Sequence, residues 1–342
     1  MKVGILTFHW ATNYGAVLQC YALQEYLRNE GHEVEIINYK PRKFDFWFKY
    51  LKRPWLILRL RKELITRKKE KYLALFRNTM LKQTDRYHST KELRKAKFDY
   101  DVIISGSDQV LNPSYTIEGE DYPTSAYYLE PFTNTKRIGY AVSFGCVEYP
   151  IKALPYSKQW INCFDRIGVR EDTGMQVLEQ MEYKGFSTIV PDPTILFGSK
   201  LFSGIKIEYP LTRDCFCVYI LRKHVNIGRN NVIYIDDYNN PLPIEKWIGT
   251  IINCKGLITN SYHGMIVAIL NHVPFVALAD SNHMNDRFVT ILSKLGMLGN
   301  MITNIADYET ILERPINWTS VDERLNEYQK EGMHFLDFEN QQ

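Results

Sequence analysis

The chain has 342 residues, 45% of them apolar and 24% charged, which is ordinary for a soluble globular protein and leaves room for two domains with a sizeable core. A net charge of +3 gives no basis for a nucleic-acid partner. No run of about 18 apolar residues is present for a spanning helix, and Met1-Lys-Val-Gly-Ile-Leu-Thr-Phe8 goes straight into a strand without a signal peptide's apolar centre.

The cysteines (Cys20, Cys146, Cys163, Cys215, Cys217 and Cys254) form no C-x-x-C pair and read as reduced core thiols of a cytoplasmic protein.

Val3 to Phe8 has the pattern of a parallel strand buried on both faces. A turn, His9 to Tyr14, leads into a helix over Gly15 to Arg28, and Val34 to Asn38 is the next strand. Asn13 and Gly15 fit turn chemistry and equally fit a backbone that a ligand approaches at the strand's C-terminal end.

Lys40 to Tyr72 holds thirteen Lys or Arg against Asp45, Glu63 and Glu70, with Phe44, Trp47 and Trp55 among the interleaved aromatics. Such a segment fits a solvated helical hairpin whose aromatics cover the sheet, or a contact with an anionic membrane surface. Leu73 to Lys97 continues as a polar, helical connection.

Asp101 to Ser105 is a further buried strand, after which Ser107, Asp108, Gln109 and Asn112 sit at the edge where α/β sheets bind ligands. Strands over Arg137 to Ser143 and up to Arg170, with a short one at Thr188 to Val190, complete the first half. Arg170 fits either a structural ion pair or recognition of a carboxylate or phosphate by its planar fork.

After a linker over Phe197 to Arg213, strands at Cys215 to Leu221, Val232 to Ile235, Leu257 to Thr259, Pro274 to Leu278 and Met301-Ile302 form a second α/β unit. Helices are expected at Glu245 to Cys254, 262–270, Arg287 to Leu295 and Val321 to Phe338. Only Arg222 to Asn230 separates the first two of these strands, short for a parallel crossover, so the second unit reads as abridged.

Asn260 and Ser261 are N-cap residues for the helix at 262–270 and place His263 and Gly264 in its first turn, where an anion is favoured. The phosphate-loop, dinucleotide, nucleophile-elbow and zinc-protease signatures are absent, and no ligand set for a metal is apparent.

Gly4-Ile-Leu-Thr-Phe8, Asn13-Tyr-Gly-Ala-Val-Leu-Gln19, Gly106-Ser-Asp-Gln109 with Asn112-Pro113, and Ser143-Phe-Gly145 occur in that order. Gly168-Val-Arg-Glu171, Asp192-Pro-Thr194 and Thr259-Asn-Ser-Tyr-His-Gly264 follow. Together these segments resemble the polysaccharide pyruvyl transferase family over nearly the whole chain.

The resemblance implies two Rossmann-like domains in a GT-B-like arrangement, the first over 1–200 on the acceptor side and the second over 201–342 on the donor side. It implies transfer of a pyruvyl group from phosphoenolpyruvate, as co-substrate without a further cofactor, to two hydroxyls of a sugar as a cyclic ketal.

By the same resemblance Arg170 would hold the donor's acid groups and His263 its phosphate, with Ser261 and Gly264 at the helix start. His263 would serve as the acid or stabilise the leaving phosphate, and Asp108 as hydroxyl-facing base. Some members carry an arginine where Ser261 stands, so Arg287 or Lys255 would have to replace that charge. Asn13, Gly15, Ser107, Gln109 and Asn112 would face the acceptor.

The expected partner is a sugar, free or lipid-linked, used in surface polysaccharide assembly by a cytoplasmic enzyme, with 40–72 as its candidate membrane contact. A GT-B glycosyltransferase using a nucleotide sugar and a non-catalytic glycan- or anion-binding relative are the alternatives.

Overall fold

The apolar run after Met1 forms β1 (Lys2–Leu6), buried from Val3 onward. Asn13 starts α1 (Tyr14–Asn29) by accepting the backbone N–H groups of Gly15 and Ala16. Gly31, at φ +84°, turns the chain into β2 (Glu33–Ile36), parallel to β1.

The computed structural model describes residues 1–45, 60–116, 124–210, 213–222, 225–279 and 285–338. Much of the basic aromatic segment, residues 46–59, therefore lies outside the described residues.

The chain continues through α2 (Leu60–Met80), α3 (Thr90–Lys95), β3 (Val102–Ser105) and β4 (Lys136–Val142). Then come α4 (Leu154–Ile161), β5 (Arg166–Val169), α5 (Asp172–Gln180), β6 (Phe186–Ile189) and α6 (Pro193–Phe197). The six strands make one parallel sheet in the order β2-β1-β3-β4-β5-β6.

The helical connection expected over Leu73 to Lys97 is broken. α2 ends at Met80, and the chain then runs beside β2, where Ile36 donates its N–H to the Lys82 carbonyl, before α3 begins. The expected linker is also partly structured, since residues 198–202 form a short 3-10 turn that buries Leu201.

The second unit contains β7 (Phe216–Tyr219), β8 (Val232–Tyr234), α7 (Ile244–Ile252), β9 (Gly256–Thr259) and α8 (Tyr262–Leu270). It ends with β10 (Phe275–Leu278), α9 (Asp286–Leu295), β11 (Met301–Ile302) and α10 (Trp318–Leu336). Its five strands are parallel in the order β11-β10-β9-β7-β8.

The short crossover does not cost this unit its topology. β7 and β8 pair in parallel with Phe216 opposite Val232, and no helix occurs among the described residues joining them. What is abridged is the covering helix, while the winding matches the first sheet. In each sheet the first two strands lie to one side and the third to the other, so the order reverses between β1 and β3 and again between β7 and β9. Loops at the C-terminal ends of such strand pairs diverge and leave a crevice.

One apolar core runs through both units, because α1, α6, α7, α8 and α10 all contribute to it. Tyr14 stacks on Trp247 at 4.8 Å, and its hydroxyl donates to the Leu242 carbonyl. α10 spans both halves: Phe335 packs near Tyr140, Gln329 donates to the Ile195 carbonyl, and Glu331 pairs with Lys294 of α9.

α2 is a second brace, not a solvated hairpin along its length. Lys69 is buried and paired with Asp237 at 2.7 Å, and its ammonium lies 4.1 Å from the Tyr14 ring centre. Cys20, Cys217 and Cys254 are core residues, whereas Cys146, Cys163 and Cys215 are half-buried. No helix among the described residues is long and apolar enough to cross a membrane.

Candidate active site at the domain interface

The loops beyond the two switch points face one another and enclose a cavity of about 400 Å³. From the first unit it is lined by Phe8, Trp10, Asn13, Ala16, Asp108 and Gln109, and from the second by Leu221, Arg222, Asn260, Arg287 and Phe288. Tyr115 and Tyr127 pack edge-on against Phe8, giving the first-unit end an aromatic wall beside the carboxylate of Asp108.

Beside the cavity lies a buried charge cluster centred on Arg170. Its guanidinium meets Glu171 and Asp192 at 3.3 Å each and Asp108 at 3.5 Å, with the side chain 1% exposed. Burial works against the Arg170 charge, but Glu171, Asp108 and Asp192 together hold its pKa above the ordinary arginine value. Glu171 is pushed up by burial, against the lowering effect of Arg170 and of the Ser143 hydroxyl that it accepts.

Asp192 is the hub of this cluster. It caps α6 by accepting the Thr194 N–H and hydroxyl on Oδ1, while Oδ2 accepts Ser107 Oγ and Arg170 and lies 3.5 Å from His263 Nε2. Burial opposes its ionisation, yet His263, Arg170 and Thr194 hold its carboxyl well below the usual range.

His263 is placed by the start of α8, as the helix-start pattern predicts. The anion-binding reading of that turn is partly corrected, because two of its donors are taken: Ser261 N–H bonds Thr259 Oγ1 and Gly264 N–H bonds Ser261 Oγ. The imidazole packs against Gly15 so closely that a Cβ built there would lie 2.0 Å from Nδ1. Gly15 therefore serves close interdomain approach, and Asn13 combines the capping of α1 with a place on the cavity wall.

The structure divides the expected residues into two groups. Asn13, Asp108, Gln109 and Arg287 line the cavity. Arg170, His263, Ser261, Gly264, Gly15, Ser107 and Asn112 do not. Arg170 has the internal ion-pair role instead of an open fork, Ser107 donates to Asp192, and Asn112 donates to Gln109 at 3.0 Å. Lys255 lies 5.4 Å from the Phe216 ring centre and does not line the cavity, whereas Arg287 does.

Arg287 makes no ion pair or hydrogen bond among the described residues, and its Nε is enclosed without a partner. Burial, then the neighbouring Arg170 charge, lowers its pKa from the ordinary arginine value. Tyr262 lies between the two arginines in sequence space and in contact with both: Arg170 is 5.0 Å and Arg287 5.6 Å from its ring centre.

The aromatic wall, Tyr262 and the hub role of Asp192 carry no sequence signal of a site, and Asn260, expected as a cap residue, bonds Leu221 instead while Ser261 alone caps α8. Asp-Pro-Thr194 did carry a cap signal, but its partners come from β3, β5 and α8, which only folding joins.

The fold and cleft define a two-domain α/β protein with an interdomain cavity. A family model described as polysaccharide pyruvyl transferase matches residues 13–282, and the chain belongs to that family. No curated protein matches the chain.

Among solved structures, the UDP-GlcNAc 2-epimerase from Methanocaldococcus jannaschii is similar at 10% identity and a TM-score of 0.55, covering 98% of this chain and 99% of the other. The UDP co-structure of MnaA from S. aureus is similar at 10% identity and a TM-score of 0.52, covering 97% and 91%. These likenesses establish the shared two-domain GT-B-like fold.

Proposed function

We propose that the protein transfers a pyruvyl group from phosphoenolpyruvate to two hydroxyls of a sugar, forming a cyclic ketal in surface polysaccharide assembly. Family membership supports the reaction class. The observation that carries the donor is Arg287, a guanidinium at the cavity with no protein carboxylate paired to it among the described residues. A bare guanidinium in a recess suits a carboxylate or phosphate.

In this reading the acceptor lies against the aromatic wall, with Asp108, Gln109 and Asn13 toward its hydroxyls. Asp108 takes the proton of the first hydroxyl as its oxygen bonds C2 of the donor, and a proton is added to the methylene carbon. The C2–O bond to phosphate then breaks, and the second hydroxyl adds to C2 and loses its proton, closing the ketal. Phosphate leaves, and the protons given up by the two hydroxyls balance those taken by the methylene carbon and the phosphate. His263, expected to supply that proton, stands outside the cavity lining with Nε2 toward Asp192 and Nδ1 against Gly15, so in this reading it holds Asp192 and the Arg170 cluster beside the cavity. No further cofactor enters this scheme. A cytoplasmic enzyme acting on a lipid-linked sugar fits this role, although Lys69 of the basic 40–72 segment is committed to Asp237 and not to a membrane.

The test is acceptor-dependent phosphate release from phosphoenolpyruvate across a panel of free and lipid-linked sugars. Absence of release over the whole panel would sink the proposal. Thermal stabilisation by phosphoenolpyruvate, rather than by UDP, GDP or CMP sugars, separates it from a nucleotide-sugar enzyme.

A further inference from the structure

The cavity holds a second arginine that no ion pair or hydrogen bond among the described residues occupies. Arg222 follows β7 at the switch point of the second sheet and lines the cavity together with Arg287. Its backbone stands at φ +67°, a left-handed conformation that arginine does not favour. Surrounding structure must impose it, and such strain concentrates at functional sites.

Asn260 imposes it. Its Oδ1 accepts the Leu221 N–H at 2.6 Å, and its Nδ2 donates to the Leu221 carbonyl at 3.2 Å. One side chain from the end of β9 thus holds both peptide groups of the residue before Arg222. β9 and β7 are the two strands between which the sheet order reverses, so the clamp is built into the switch point itself.

Charge balance gives Arg222 a purpose. Arg170 is surrounded by three carboxylates and brings no excess positive charge to the site. Without Arg222, Arg287 alone would face a phosphate monoester or a diphosphate, which carries about two or more negative charges.

The geometry points to Arg222 as a phosphate-binding residue of the donor site and to Asn260 as the residue that positions it. The inference rests on the donor reading above only for which phosphate is bound; phosphoenolpyruvate and a nucleoside diphosphate share the chemistry that Arg222 recognises.

Titration calorimetry with phosphoenolpyruvate and separately with UDP, on wild type, Arg222→Gly, Arg222→Lys and Asn260→Ala, tests it. Glycine accepts the positive φ, so Arg222→Gly should unfold at the wild-type temperature or above. It should nevertheless bind whichever ligand wild type takes at least about tenfold more weakly. Lysine should restore part of that loss by charge. Asn260→Ala should weaken binding in wild type and add little in the Arg222→Gly background.

Wild-type-like binding by Arg222→Gly overturns the assignment whatever the ligand. If wild type binds UDP and not phosphoenolpyruvate, while Arg222→Gly still loses tenfold, Arg222 stands and the pyruvyl reading falls. Wild type binding neither ligand would overturn both.

Discussion

Replacing Gly15 by alanine adds one methyl group where the two domains touch. That Cβ would lie 2.0 Å from His263 Nδ1, 2.6 Å from Cγ and 2.7 Å from Cε1, meeting a whole ring edge. Ordinary non-bonded contact needs about 3.5 Å, so the ring or α1 must give by roughly 1.5 Å. Neither is free to do so. The His263 side chain is 9% exposed with Asp192 at 3.5 Å, and α1 is fixed by Tyr14, whose hydroxyl accepts the Leu242 N–H and donates to its carbonyl.

Overpacking of this kind costs about 1–3 kcal/mol. The gain from alanine over glycine inside a helix, about 0.5–1 kcal/mol, offsets part of it. The expected net destabilisation is about 1–2 kcal/mol, read by urea unfolding as a lower midpoint with unchanged slope. In a His263→Ala background the clash is absent, so Gly15→Ala should become neutral or stabilising, a coupling of at least about 1 kcal/mol. Equal effects in both backgrounds would refute the contact as the cause.

Acid stability should report His9, which is buried with Nδ1 3.2 Å from the Thr7 carbonyl and Nε2 3.2 Å from Asn38 Oδ1. Burial lowers its pKa to about 4, against an ordinary 6.5. The unfolded chain then takes up the proton first, so the His9 contribution is complete above pH 6.5 and lost as pH falls toward 4. It amounts to about 3 kcal/mol, and His9→Phe should flatten that part of a urea-midpoint-versus-pH curve. At the α2 brace, Asp237→Ala leaves the Lys69 ammonium buried without its partner and should cost about 3–5 kcal/mol by the same unfolding assay. Pairing that change with Lys69→Met should recover most of the loss, and no recovery would show that the ion pair is not its source.

Each half's βαβ pattern was legible because parallel strands are apolar throughout and their helices carry local stop and start signals. Tyr262–Leu270 and Met301–Ile302 fall where pattern reading puts them, since Ser261 is a local cap and both flanks are apolar. α4 was missed: its eight residues begin at Leu154-Pro155 and bury only Ser157 and Ile161, too few positions for a periodic signal. The break after Met80 was missed because the chain there is held by pairing to β2, a non-local cause.

For the site, the sequence by itself determined the chemical groups and the strand ends that bear them, because caps, turns and apolar runs are set by neighbours in the chain. It placed Asp108, Arg170 and His263 at three such ends and named Arg287 as a candidate charge. Only the tertiary structure decided which of these face a ligand. The strand order of the first sheet brings Arg170 among Asp108, Glu171 and Asp192, whose attraction offsets its burial, while Arg287 and Arg222 of the second unit are left at the cavity, where no protein group among the described residues neutralises them.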